Sequence, residues 1–352
     1  MPAADVPPDA DRAPVADAAP SAAGDGDPAD HAVLTRELRR VYRGAGGAVV
    51  ALDGVDLRVR RGELYGVLGP NGAGKTTLIK VLVTLLLPTS GVAYVDGLDV
   101  VRDVTALRRR IAMVSGGENS GYGPLTVREQ LWMYSQLHGM PGRLARPRIE
   151  ALLERMRLSE VGDRRIFALS SGMRQKMNLI RGFITDPRVL FLDEPTVALD
   201  VGAARDLRAE VRRWMAEDPA RTVILTTHHM LEADELCDRL AIVTRGRVVA
   251  EGTPAELKRS VREALVIDLT FRVGAPLLDA LRAIEGVWAA SVEEQDGSDR
   301  FTIQLADDSV LTALLATAEI AGRRVVAVDR REPTLEDAFV RLVGRSLAEE
   351  EH

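Results

Sequence analysis

Gly69-Pro70-Asn71-Gly72-Ala73-Gly74-Lys75-Thr76-Thr77 is the stretch on which the reading of this chain turns. It fits the spacing G-x-x-x-x-G-K-[ST], with Gly69, Gly74, Lys75 and Thr76 in the fixed places. Glu63 to Leu68 before it is a short apolar run of strand type, and Leu78 to Val83 after it is apolar at helical spacing. Strand, glycine loop and helix in that order make a phosphate cradle. Glycines put no Cβ in the way, so successive N–H groups can converge on an anion, and the following helix aims its positive end at the same place. The spacing puts Lys75 at the β- and γ-phosphates and the Thr76 hydroxyl on Mg²⁺.

Two further strand ends carry complementary chemistry. Val189 to Leu192 is apolar without alternation, as a central parallel strand covered on both faces requires. It ends in Asp193 and Glu194, where doubly wound sheets place ligands. Asp193 is read as a Mg²⁺ ligand and Glu194 as the general base that polarises an attacking water. The strand Thr222 to Thr227 ends at His228, which suits either a hydrogen bond to a terminal phosphate or a structural histidine. Its neighbour His229 is assigned no chemistry. Tyr42, some thirty residues before the loop, suits either purine stacking or half-buried packing.

Bulk properties narrow the class. The chain has 352 residues, 46% of them apolar and 4% aromatic, so two or three domains are expected. No apolar run reaches the roughly 18–20 residues that span a bilayer. Residues 1–30 hold seven aspartates and one arginine, and 7 − 1 = 6 equals the whole net charge of −6. With six prolines, that segment cannot bury enough surface to order itself, and it is read as a disordered tail. The remainder is neutral on balance, which argues against nucleic acid as a partner. The single cysteine, Cys237, rules out an internal disulfide and reads as a packed, inert thiol.

The order of motifs resembles the ATP-binding subunit of an ABC transporter over about Val33 to Gly252. After the loop at 69–77 come Leu169-Ser170-Ser171-Gly172-Met173-Arg174-Gln175, similar to the family's signature, and Leu190 to Thr196, similar to its Walker B strand with the catalytic glutamate. The sequence ALD ending at Asp200 resembles the D-loop, and His228 the switch histidine. Tyr42 fits the family's A-loop aromatic, which favours stacking. The resemblance implies ATP and Mg²⁺ as cofactors and a second ATP-binding subunit, in a homo- or heterodimer. Ser170, Ser171, Gly172 and Met173 of one subunit would complete the site of the other.

The form S-[ST]-G-M-[RK]-Q-K, with Pro333 to Phe339 reading P-T-L-E-D-x-F, resembles the ABC-2 branch of daunorubicin-resistance type. That implies export of a hydrophobic drug, lipid or polysaccharide through a separate ABC-2-type permease, with the chain peripheral on the cytoplasmic face of the membrane. A soluble ABC ATPase acting on ribosomes or DNA is the alternative. One departure stands out: Gly116 occupies the place of the family's loop glutamine, with Glu118 or Asn119 as the nearest substitutes. The expected fold is therefore an α/β ABC-type P-loop ATPase with a RecA-like core, an antiparallel β subdomain and a helical subdomain, plus a small α+β C-terminal domain. The expected boundaries are 1–31 for the tail, 32–254 for the ATP-binding domain (helical subdomain about 117–187), 255–345 for a ferredoxin-like C-terminal domain in the order β-α-β-β-α-β, and 346–352 for a short tail.

Overall fold

The computed structural model describes residues 27–44, 47–116, 121–197, 199–259, 265–274, 276–295 and 297–343. Most of the acidic tail, Glu118, Asn119 and the segment 346–352 lie outside the described residues. In chain order the first elements are β1 His31–Gly44, β2 Gly47–Arg60, β3 Leu64–Leu68, α1 Lys75–Leu82, β4 Ser90–Val95, β5 Leu98–Asp99, α2 Val104–Leu107 and β6 Ile111–Ser115. There follow α3 Val127–Leu137, α4 Gly142–Arg155, α5 Ser171–Ile184, β7 Val189–Asp193, α6 Val201–Ala216, β8 Thr222–Thr227, α7 Met230–Leu236, β9 Arg239–Thr244 and β10 Arg247–Gly252. The last are α8 Pro254–Arg259, β11 Leu265–Arg272, α9 Leu278–Arg282, β12 Val287–Gln295, β13 Ser298–Leu305, α10 Val310–Ile320, β14 Val325–Arg331 and α11 Leu335–Val343. They fall into two compact units: Met1–Glu63 with Gly72–Thr226 and Arg245–Arg247, and Leu64–Asn71 with Thr227–Thr244 and Val248–His352.

In the first unit, β2, β1, β4 and β5 form one antiparallel sheet in that order. β6, β7 and β8 run parallel, with Ile111 opposite Val189 and Val189 opposite Thr222. Every residue of β7 and β8 is buried, as in central strands covered on both faces, and the apolar stretches Val189–Leu192 and Val223–Leu225 suit that place. Burying each Val, Leu or Ile there is worth about 1.5–3 kcal/mol.

The helices of this unit are set by their ends. Thr126 caps α3 by accepting from the Glu129 N–H, and the Glu129 carboxylate reaches back to the Thr126 N–H at 2.8 Å. The sequence pattern suggests a helix from about Arg146 to Met156. The helix instead begins at Gly142 and carries Pro147 inside it. Packing overrides the local rule here: Ala145 is buried, and the Arg146 guanidinium sits 5.1 Å over the Trp132 ring. α5 also begins earlier than its apolar pattern suggests, at Ser171 rather than near Gln175, because Ser170 caps it. Its buried face carries Met177, Ile180, Phe183 and Ile184. Phe183 stacks on Trp214 of α6 with centroids 5.1 Å apart.

In the second unit, β3 pairs in parallel with β9, Tyr65 opposite Arg239. A separate antiparallel sheet has the order β12, β13, β11, β14. One face of it packs with α9 and α10 around Leu269, Phe271, Leu281, Phe301, Ile303 and Leu314. The buried Asp268 of β11 is answered by Arg300, Thr302 and Arg331. Arg331 also pairs with the buried Asp337. Asp337 in turn accepts from the Thr334 N–H, so the P-T-L-E-D sequence begins α11 with a reciprocal cap.

Candidate functional site

The site is built where the phosphate loop enters α1 and where β7 and β8 end. Gly74 lies just before α1 with φ of 104°, and a Cβ there would stand 2.4 Å from the carbonyl oxygen of Ala51. Only glycine makes this turn without displacing backbone. No side chain caps α1, so the positive end of its dipole stays directed at the loop. Lys75, the first residue of α1, is 4% exposed, and its Nζ lies 3.2 Å from Oε1 of Glu194. A buried ammonium needs such a partner, since its desolvation is costly.

Thr76 donates from its hydroxyl to Oδ1 of Asp193 at 3.2 Å. The same carboxylate oxygen accepts from the Thr226 hydroxyl at 2.6 Å. The Glu194 N–H donates to the carbonyl oxygen of Thr226 at 3.0 Å and lies 3.2 Å from its hydroxyl oxygen. Glu194 has φ of 49°, in the left-handed region that a side chain disfavours. Its neighbours hold it there. Gly116, directly after β6, donates its N–H to the Asp193 carbonyl at 2.8 Å. Thr226 is a residue that motif reading passes over, because the stretch 226–228 draws attention to its histidine. The signal was present: a hydroxyl at the end of a buried strand whose neighbour ends in two carboxylates.

Thr76 and Asp193 together offer a hydroxyl and a carboxylate within hydrogen-bonding distance. Mg²⁺ takes such hard oxygens while keeping waters and phosphate oxygens as its other ligands. Among the described residues no group of three His, Cys, Asp or Glu side chains forms a closed metal cage.

Tyr42, near the end of β1, brings its hydroxyl within 3.4 Å of the Thr77 hydroxyl, and the Arg40 guanidinium lies 4.9 Å over its ring. The aromatic is thus placed at the phosphate loop. Ser170, Ser171, Gly172, Met173 and Asp200 form a second constellation. The Ser170 hydroxyl accepts from the Met173 N–H at 3.3 Å, and the Asp200 carboxylate caps α6 by accepting from the Ala203 N–H at 2.8 Å. A Cβ on Gly172 would sit 3.4 Å from that of Ala203, so the starts of α5 and α6 lie side by side. Ser170, Ser171 and Asp200 are exposed. In the second unit, the Gly69 N–H donates to the Thr227 carbonyl, and the His228 ring packs on His229 with centroids 4.1 Å apart.

Comparison with known proteins identifies relatives of the chain. A family described as "ABC transporter" matches residues 52–197, and one described as "ATP-binding protein DrrA1-3-like, C-terminal domain" matches 252–343. The chain is 40% identical to a daunorubicin resistance ATP-binding protein, DrrA3, of Streptomyces coeruleorubidus, over 90% of this chain and 97% of that one. It is 35% identical to the Nod factor export ATP-binding protein I of Burkholderia orbicola, over 88% of this chain and 97% of that one. Among solved structures it resembles a dimeric, post-hydrolysis ATP-binding cassette bound to ADP and Pi. That match has a TM-score of 0.58 at 25% identity, over 63% of this chain and 98% of that one. The ATP-binding subunit of an ABC transporter gives a TM-score of 0.57 at 28% identity, over 65% and 92%.

Proposed function

The chain belongs to the ABC transporter family of ATP-binding proteins, and from that premise we propose that it is the ATP-hydrolysing subunit of an exporter. The observation that carries this reading is the cluster of Lys75, Thr76, Asp193 and Glu194 at the mouth of the glycine loop. In this proposal ATP lies along residues 69–77 with its purine on Tyr42. Lys75 exchanges Glu194 for the β- and γ-phosphates, which releases that carboxylate to accept a proton from the attacking water. Thr76 and Asp193 would hold Mg²⁺, which would supply charge neutralisation on the phosphates. His228 donates to the γ-phosphate. Asp200 and the segment Ser170 to Met173 close the site from a second ATP-binding subunit, where the start of α5 faces the phosphate.

Relatives named for daunorubicin resistance and Nod factor export support export as the direction. No helix among the described residues is long and apolar enough to cross a membrane. Following the resemblance of its signature and of residues 333–339 to the ABC-2 branch, we assign the chain a separate ABC-2-type permease as partner and a peripheral place on the cytoplasmic face of the membrane, with no nucleic-acid partner. Residues 32–254 would be the ATP-binding domain and 255–345 an accessory α+β domain.

The test is ATPase turnover of the purified chain with its permease. Glu194→Gln is expected to lower kcat by about 10²–10⁴-fold, the usual contribution of a general base, while an ATP-bound dimer accumulates on gel filtration. Wild-type turnover in that variant would refute the assignment of Glu194.

A further inference from the structure

Gly116 lies against the backbone of the proposed general base. We propose that it is a positioning residue for hydrolysis: its missing side chain lets the chain after β6 clamp Glu194 in its left-handed conformation. This rests on the reading of Glu194 given above.

The β6–β7 ladder pairs Ser115 with Asp193, so the next pair in register is Gly116 with Glu194. The Gly116 N–H bonds the Asp193 carbonyl at 2.8 Å. An ideal Cβ at position 116 would stand 1.9 Å from the carbonyl oxygen of Glu194 and 3.0 Å from its carbonyl carbon. Both are backbone atoms, so no rotamer change relieves the overlap. On its other side the Glu194 N–H is held by Thr226 of β8. The Asp193–Glu194 backbone is therefore gripped between two strands, and the grip sustains a φ of 49° that a glutamate would otherwise leave. The direction of the Glu194 side chain, and with it the 3.2 Å approach to Lys75, follows from that backbone.

Any residue with a Cβ at 116 must push the Glu194 carbonyl away. The phosphate loop itself does not depend on this contact: the turn at Gly74 is fixed against Ala51. A displacement of about 1 Å at a reacting group costs on the order of 10²-fold in rate. Glutamine, the residue that the family resemblance leads one to expect at this place, would therefore impair this chain rather than restore it.

The experiment compares wild type, Gly116→Ala, Gly116→Gln and Ser115→Ala in the full chain, measuring kcat, KM and equilibrium binding of ATP. Ser115 is exposed and serves as the neighbouring control. Both Gly116 variants are expected to lose about 10–10²-fold in kcat with ATP affinity within about twofold of wild type, and Ser115→Ala to match wild type. An unchanged kcat in Gly116→Ala overturns the proposal, and so does an equal loss of kcat and ATP affinity. Hydrogen exchange on the wild-type chain tests it without any variant: the Gly116 amide is expected to be protected, and free exchange there overturns it. A wild-type chain with no ATPase activity would instead defeat the functional reading itself.

Discussion

Thr226 shows how much a single hydroxyl can organise. It donates to the Asp193 carboxylate and accepts from the Glu194 N–H, so one side chain ties a carboxylate to the backbone of the next residue. Thr226→Val keeps the shape and removes both contacts. Asp193 keeps its bond from Thr76 and the Glu194 N–H keeps the Thr226 carbonyl, so the loss is two hydrogen bonds of about 0.5–1.5 kcal/mol each, and kcat is expected to fall roughly 5- to 150-fold. Thr226→Ser should retain most of the activity; equal losses in the two variants would show that the methyl group, not the hydroxyl, matters. Tyr42 offers a parallel test. Base–aromatic stacking is worth about 1–3 kcal/mol, so Tyr42→Ala should weaken ATP binding by roughly tenfold while Tyr42→Phe leaves it near wild type, both read by titration with ATP. The motifs announced Lys75, Asp193 and Glu194, because each stands at a fixed offset in a short stretch. Nothing local announced Thr226 as their organiser, since its role comes from strand neighbours.

Helix ends are the elements that the sequence disclosed best and worst. The capping box of α3 was legible because both partners lie within four residues. The Glu129 carboxyl is held below its ordinary value of 4.5, chiefly by the Thr126 N–H and then by the Thr126 hydroxyl. A carboxyl depressed in the folded state adds stability that is complete above the unfolded value and fades as pH falls through the folded one. Thr126→Ala should therefore cost about 1 kcal/mol at pH 7 but keep the chief bond, from the backbone N–H of residue 126. Glu129→Gln, in contrast, should flatten the loss of stability below pH 4.5, as followed by denaturant melts from pH 7 to pH 3. An unaltered pH slope would dissociate the cap from the titration. The start of α4 was not legible for the opposite reason: the helix begins at Gly142, before the pattern that runs from about Arg146, and the contact of Arg146 with Trp132 is not a local signal. Ser170 was read for a role toward a second subunit, and it also caps its own helix.

At the scale of the whole molecule, ligand and fold are linked. A ligand bound only to the native chain at 100 times its Kd adds about 2.7 kcal/mol of stability. Saturating Mg²⁺–ATP should thus raise the melting midpoint, and Lys75→Ala should abolish that rise. In the second unit, Arg331 is shared by the buried Asp268 and Asp337. Arg331→Ala leaves Asp337 without that cation and removes one of two from Asp268. The expected cost is about 3–5 kcal/mol, seen as a lowered unfolding transition; a loss under 1 kcal/mol would mean that Arg300 and Thr334 suffice. The β-α-β-β-α-β order expected over 255–345 rests on alternation, which is local; the burial of Asp268 beside three cross-strand partners does not.

Sequence alone determined the chemistry of this protein: a glycine loop, a lysine, a threonine and paired carboxylates, each carried by a strand–loop–helix segment whose form depends on nearby residues. Tertiary structure decided how they cooperate. Gly116 directly follows β6, Glu194 directly follows β7 and Thr226 lies near the end of β8, and their contacts arise from the parallel register of those strands. That register is set by burial of both faces, to which the whole unit contributes. A left-handed glutamate is unfavourable by itself, so no propensity could have foretold it. It persists because the packed strands on either side bond its backbone more strongly than its own steric preference resists.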